Sequence, residues 1–525
     1  MDFQHANGAG SQPMSFDDHD DSFEDYKVPV SVEVCLKPNS VCSARQIADA
    51  LARFLEGRTI RYGNGPLDLS ECEDAVLLSN VESVAICDTD PLQHRLNSPL
   101  LFWQYTPRIF VYQLSEEGPA DDDEGEEGVP SYRELMLPAT DLAGQWEALH
   151  FDSAIQQRLL SYATSALMFA DRGVDANLVA WNRVVLLYGP PGTGKTSLCK
   201  ALAHKLSIRL GDRYRQGCLV EVNAHSLFSK YFSESGKLVS RLFSKITELV
   251  EEPDSLVFVL IDEVESLTSA RKAAVAGSEP SDAIRAVNAL LTQLDALRRF
   301  PNVMVLTTSN ITQAIDVAFV DRADIKAYIG PPTLPARYEM LRGSVRELSR
   351  KGIIAEDAAQ LLLPYSDAAA AAAANTAAAS AAAAAAALGV LSLPNGGGGG
   401  GALPAAMQAV TSHAPDGMDA THSAAAAPPP SAADGGGAAA AAADAAAPPS
   451  AASASASAAG SLSSLLLAAA AACEGLSGRT LRKLPFLAHA GSPALTTPCG
   501  ARLYLRALRE AAAREQSDRE QLLSG

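Results

Sequence analysis

VPVSVEVCL (28–36) sets an apolar residue at every second position, which predicts a strand. The next stretch, SARQIADALARFL, places Ile47, Ala50, Leu51 and Phe54 at helical spacing behind Ser43, whose hydroxyl suits a helix N-cap. VESVAICD (81–88) and RIFVYQL (108–114) again read as strands, so residues 27–115 are expected to form a small α/β domain. A second block, 136–332 with a first helical lid piece at 333–365, changes the pattern. Its apolar runs VVLL, SLVFVLI and NVMVL are continuous, as in parallel strands covered on both faces, and they alternate with helical stretches. That alternation predicts a three-layer α/β architecture.

Between and around these blocks the pattern disappears. Residues 1–26 are acidic and short of large apolar groups, which predicts disorder. SEEGPADDDEGEEGVP opens an acidic linker assigned to 116–135, extended by like-charge repulsion. Residues 366–460 are alanine tracts broken by glycine and proline runs, with no apolar face to dock a helix. They are expected to be a flexible insertion. Patterned sequence resumes in 461–525, a second lid piece that ends in a charged helix, RLYLRALREAAAREQSDREQLL.

Composition changes the picture in three ways. The 525 residues carry a formal net charge of −19, so no direct nucleic-acid partner is expected. The eight cysteines include no CxxC pair, which favours reduced thiols over disulfides or a metal centre. No charged segment followed by an apolar run opens the chain, and its alanine-rich stretches are interrupted by serine. A soluble, intracellular protein with no membrane partner is expected.

The strongest chemical signal is VVLLYGPPGTGKTSLCKAL (184–202). Gly189, Pro190, Pro191, Gly192, Thr193, Gly194, Lys195 and Thr196 follow a strand and open a helix, the setting in which GxxxxGK[ST] binds nucleotide phosphates. Backbone N–H groups and the helix N-terminus attract the phosphates of ATP, Lys195 reaches the β/γ-phosphates, and Thr196 offers a hydroxyl to Mg2+. A second apolar strand ends in Asp262 and Glu263. The first suits the Mg2+ sphere, and the second suits the orientation or deprotonation of the attacking water. A third ends in Asn310, which can hold that water if its strand lies between the other two.

Taken in order, the phosphate loop, LIDE, TTSN and VDRADIKAYIG resemble an AAA+ ATPase. HSLFSKYFSESGKLVSRLF, LIDEVESLTSARKAAVAGSEPSDAIRAVNALLTQLD and EGLSGRTLRKLPFLAHA resemble more closely the pachytene checkpoint protein 2 family, called thyroid receptor-interacting protein 13 in animals. The resemblance implies an AAA+ P-loop three-layer αβα domain with a small helical lid. It also implies a homohexameric ring that remodels HORMA-domain substrates, with a HORMA adaptor, in meiotic chromosome axes and the spindle checkpoint. Its places of work are then nucleus and cytoplasm.

The resemblance also assigns residues. Tyr231 and Phe232, adjacent aromatics in the polar stretch SLFSKYFSESGK (226–237), resemble a pore-loop pair that grips extended polypeptide, with Lys230 facing acidic substrate. Residues 269–282 resemble a second pore loop. Arg322 resembles the finger that reaches a neighbouring subunit's γ-phosphate. Because Asp324 occupies part of the span where the commoner pattern has a second arginine, a salt bridge to Asp321 or Asp324 is the competing assignment. Arg479, behind the good N-cap Ser477, resembles a lid arginine that senses nucleotide. Two other function classes share these motifs: a nucleic-acid motor or clamp loader, which the acidic charge and aromatic pair disfavour, and a nucleotide-regulated scaffold, which the intact Lys195, Asp262 and Glu263 disfavour.

Overall fold

The structure, a computed structural model, describes residues 27–90, 94–121, 132–151, 154–223, 235–266, 282–310, 317–355, 362–390 and 462–524. The N-terminal body is built on β1 (Val28–Leu36), antiparallel to β2 (Val81–Cys87) and parallel to β3 (Tyr105–Gln113). Helix α1 (Ala44–Leu55) starts where Ser43 accepts the Gln46 N–H at 3.3 Å. It buries Ile47, Ala50 and Leu51 against Val30, Val32 and Val34. The alternation in β1 does not leave the second face wet. Glu33 and Cys35 are buried as well, and Glu33 is only 6% exposed.

The second body adds β4 (Tyr132–Leu137), α2 (Ile155–Asp171), β5 (Val184–Tyr188), α3 (Lys195–Arg209), β6 (Gln216–Asn223) and α4 (Ser235–Val250). It continues with β7 (Ser255–Asp262), α5 (Asp282–Leu297), β8 (Val303–Ser309) and β9 (Ile325–Tyr328). The sheet runs β9-β5-β8-β7-β6-β4, parallel from β9 to β6, with β4 antiparallel beside β6. Successive side chains of each strand enter opposite cores. Val185 and Leu187 pack under α2 and α3, while Val184 and Leu186 pack under α4 and α5. β8 lies between β5 and β7, as the position of Asn310 requires. The expected linker at 116–135 is shorter than read, because Ala120–Asp121 and β4 both join this sheet. Its acidic middle, 122–131, lies outside the described residues, as do residues 1–26.

The lid joins two separated pieces of chain: α6 (Leu334–Arg350), α7 (Tyr365–Val390), α8 (462–471), α9 (Gly478–Ala490) and α10 (Ala501–Ser524). Tyr338, Leu341 and Val345 of the first share one core with Leu466, Leu481, Leu484, Tyr504 and Leu508 of the second. Cys499 seals them by donating its N–H to Ile353 O at 3.0 Å and accepting that of Ala355 at 2.8 Å. Closing a long intervening loop costs only about (3/2)RT ln n, which this core offsets.

The insertion is not uniformly without helix. Helix α7 begins at Tyr365 and takes in the insertion's residues 366–390, and Ala368 is buried in the lid core. No glycine or proline occurs before Gly389, so alanine propensity acts unopposed there. The helix start is tied down where Tyr365 packs on Tyr338 and donates its N–H to Glu339 at 2.8 Å. Residues 391–461 lie outside the described residues. All eight cysteines are free. Among the described residues, no helix is long and apolar enough to cross a membrane.

Replacing 376–460 with a Gly/Ser linker of about ten residues is expected to leave Tm within about 2 °C, since loop length enters only logarithmically. Tyr365→Ala is expected to lower Tm by several degrees, at about 2 to 4 °C per kcal/mol for a body of this size. Differential scanning fluorimetry of both variants checks the pair; an equal loss in both places the tract itself in the folded core.

Candidate nucleotide site

Strand β5 runs into the glycine loop at the sheet's centre, and the loop closes under backbone from two other elements. Gly189 has φ +147°, and a Cβ there would lie 2.2 Å from Ile329 O just beyond β9. Gly192 has φ +77°, and a Cβ there would lie 3.0 Å from Ser477 Oγ of the lid. A side chain is therefore sterically excluded at Gly189, whereas at Gly192 it is opposed by the left-handed backbone and by a tight contact with the Ser477 side chain. The loop delivers Gly194 to the start of α3, whose first N–H groups have no partner within the helix.

Lys195 is 5% exposed. Its Nζ donates to Gly189 O at 3.0 Å and Pro190 O at 2.8 Å. Burial lowers its pKa, against the opposing pull of Glu265, Asp262 and Glu263. Thr193 steadies the loop through a 3.0 Å bond to Pro190 O. Thr196 Oγ1 donates to Asp262 Oδ1 at 3.0 Å, so the hydroxyl and the carboxylate meet across α3 and β7. Thr308 of β8 donates to the same Asp262 oxygen.

Glu263 takes a left-handed backbone, φ +57°, which is uncommon for a residue with a side chain. Its N–H reaches Thr308 Oγ1 at 3.3 Å, and its Oε1 accepts from Asn310 Nδ2 at 3.1 Å. Asn310 is fixed in turn by its own N–H, which donates to Glu265 at 3.1 Å. Lys195, Thr196, Asp262, Glu263 and Asn310 line a cleft of about 630 Å³ with Ala148–Phe151 on one wall and Met340, Arg479, Arg482 and Lys483 of the lid on another. Ser477 caps α9 by accepting the Thr480 N–H at 3.2 Å, and Arg479 follows in the first turn. The Arg479 N–H donates to Gly192 O at 3.0 Å, so the lid rests directly on the loop.

The cleft thus collects Lys195, Thr196, Asp262, Glu263, Asn310 and Arg479 from four elements, α3, β7, β8 and α9. Arg322 does not line it. Its guanidinium grips Asp295 of α5 twice, at 2.9 and 2.8 Å, and donates to Ala318 O. The competing partners Asp321 and Asp324 are not the ones used. Asp324 accepts instead from Tyr162, Asn182 and the Arg183 N–H. Lys230, Tyr231 and Phe232, and nearly all of 269–282, lie outside the described residues. Thr308 and Glu265 belong to none of the sequence motifs, although each sits two residues from a predicted neighbour at the same strand end. Nor does Ala148–Phe151, because that wall carries no chemistry-bearing pattern.

The model of the ATPase family associated with various cellular activities (AAA) matches residues 185–331. The TRIP13 N-terminal domain matches 25–117, and the TRIP13-like AAA+ ATPase lid C-terminal domain matches 439–516. A pachytene checkpoint protein 2 homolog of Oryza sativa is 48% identical over 497 residues, covering 94% of this chain and 89% of that protein. The chain belongs to the pachytene checkpoint protein 2 family. The Arabidopsis thaliana member is 52% identical over 66% of this chain and 74% of its own. The solved structure of C. elegans PCH-2 superposes with a TM-score of 0.60 at 28% identity, covering 93% of this chain and all of that one. This family member is an ATP-hydrolysing enzyme with the N-terminal domain, AAA domain and lid of its relatives.

Gly189→Ala tests the packing of the loop. Its Cβ meets a backbone carbonyl that cannot rotate away, so the loop must shift. Loss of at least about tenfold in affinity for a fluorescent ATP analogue is expected, or about 1.4 kcal/mol. Unchanged affinity would contradict the close approach.

Proposed function

We propose that this ATPase works as a homohexameric ring that remodels HORMA-domain proteins, engaged with a HORMA adaptor, at meiotic chromosome axes and in the spindle checkpoint. Its places of action are nucleus and cytoplasm, and its N-terminal body docks the adaptor or substrate. One observation carries the reading: TRIP13 modules match the N-terminal body at 25–117 and the lid at 439–516, on either side of an AAA domain at 185–331. A nucleic-acid motor shares only the central module, and the charge of −19 opposes it.

The residues fit Mg2+ and ATP. Thr196 and Asp262 offer paired oxygen ligands of the kind a hard cation takes. The Gly189 position leaves no room for a side chain, and the positive φ of Gly192 disfavours one beside the loop. Lys195 holds only carbonyl oxygens through its Nζ bonds, which a phosphate would outcompete. Bound Mg2+ supplies positive charge to the phosphate oxygens. Glu263 accepts a proton from the water that attacks the γ-phosphorus as ADP leaves, and Asn310 holds that carboxylate in place. Arg479 couples the lid to occupancy through the 3.0 Å contact with Gly192. Arg322 offers its charge to a neighbouring subunit after leaving Asp295. Lys230, Tyr231 and Phe232 grip the translocated polypeptide.

Glu263→Gln is expected to bind ATP with near-normal affinity while kcat falls by at least about a hundredfold, because an amide cannot take the proton. Steady-state hydrolysis beside an ATP-binding titration reads both. For the substrate class, the ATPase rate is measured alone, with a HORMA protein and its adaptor, and with DNA. Stimulation by the protein pair supports remodelling, whereas stimulation by DNA alone refutes it. Tyr231→Ala with Phe232→Ala is expected to keep basal hydrolysis and lose substrate conversion; wild-type conversion by that variant removes the grip assignment.

A further inference from the structure

The second face of β1 is the departure from alternation that calls for a cause. Glu33 points away from the N-terminal core and is nevertheless buried, because it meets α3 of the ATPase body. Its Oε1 lies 2.7 Å from Lys205 Nζ and 2.9 Å from Arg209 Nη2. Asp88, at the end of β2, also holds Arg209. The Arg209 guanidinium stacks 4.1 Å over the ring of Phe110 in β3. The Cys87 thiol donates to Glu33 Oε2 at 3.4 Å. Three adjacent strands of one domain therefore converge on one turn of one helix in the other. The side chains of Lys205, Arg209 and Glu33 are 1%, 7% and 7% exposed.

Three facts give this cluster more than an adhesive role. Helix α3 is about 22 Å long and buried along most of its length, so it moves as a rod. Its other end is the phosphate loop. Arg209 stands in the last turn, where its charge complements the dipole that attracts anions at the N-terminus, and Lys205 lies one turn before it. A metal centre is not the better account of Glu33, Cys87 and Glu147, whose ligand atoms lie within 4.8 Å of one another. Lys205 Nζ stands among them, and burial, reinforced by Glu33 and Asp88 against the opposing Lys205, pushes the Cys87 thiol up to about 12. Burial works against the ammonium of Lys205, but the surrounding Asp88, Glu33 and Glu147 outweigh it and hold it at about 12.

We propose that Glu33 and Lys205 are positioning residues for ATP: the N-terminal domain grips the far end of the phosphate-loop helix, and its seating sets the loop's affinity for nucleotide. Coupling is reciprocal, so ATP in the cleft tightens the same junction, and anything that pulls on the N-terminal domain loosens ATP. The proposal rests on the ATP-site assignment, and the two fail differently. Lys195→Ala reports on the site alone, whereas Glu33 and Lys205 lie outside the cleft and report on the grip.

The test uses the full chain. Glu33→Gln and Lys205→Met each break the 2.7 Å pair across the junction, leaving Lys205 with Glu147 of its own body or Glu33 with Arg209. Each is expected to raise KM for ATP by at least about fivefold, at the low end of ordinary coupling between sites, with kcat within about twofold at equal oligomeric mass. The paired apolar variant, Glu33→Leu with Lys205→Met, removes both charges. It is expected to regain thermal stability without regaining the wild-type KM. In the unmutated protein, saturating ATP is expected to slow amide exchange in residues 31–35, a readout that needs no variant to fold. Wild-type KM in the folded single variants, or exchange in 31–35 indifferent to ATP, overturns the proposal.

Discussion

One buried helix sets the terms for the rest of the molecule. Helix α3 lies against the central sheet with Leu198, Cys199, Leu202 and Leu206 fully inside, so its two ends are held in a fixed relation. The N-terminal end is left facing a cleft, where an anion is the natural partner. The C-terminal end carries Lys205 and Arg209, and the carboxylates that meet them come from another domain. Two of the three bodies are thus fixed to opposite ends of the same rod. The lid touches its start through Gly192 and Arg479.

The sheet makes that arrangement possible. Parallel strands β5, β8 and β7 end side by side, which brings the phosphate loop, Asn310 and the Asp262–Glu263 pair to one edge without any of them being close in sequence. Thr308 ties the carboxylate pair to the β8 end that carries Asn310, since its hydroxyl donates to Asp262 and accepts the Glu263 N–H. The left-handed backbone at Glu263 is held by that contact and by the Val264 N–H on Thr308 O at 3.0 Å. Local strain of about 1 to 3 kcal/mol is therefore stored at the carboxylate proposed to do the chemistry.

The lid follows a different logic. Its two pieces are separated by about a hundred residues of low-complexity sequence, yet Tyr338, Leu466 and Tyr504 are each fully buried in one core. Core burial at about 25 cal/mol per Å² of apolar surface scales with area, while loop closure grows only with the logarithm of length. A large insertion between α7 and α8 is therefore compatible with a compact lid. The insertion's own beginning is drawn into that core because Tyr365 and Ala368 lie within its first helical turn.

The sequence by itself determined what depends on near neighbours. Continuous apolar runs specified buried parallel strands, glycines at fixed intervals specified a loop that admits no side chain, and Ser43 and Ser477 marked the helix starts they cap. Family motifs then gave the order of the modules and the identities of Lys195, Asp262, Glu263, Asn310 and Arg479. Only the tertiary structure decided which partner each charge takes. Arg322 faces Asp295, twenty-seven positions away, rather than its neighbours Asp321 and Asp324. Glu33, a polar position in an alternating strand, is buried against Lys205, more than 170 residues later. Alternation reports which side of a strand packs on its own domain and says nothing of what covers the other side. That depends on how two bodies meet, and meeting is decided by surfaces far apart in sequence.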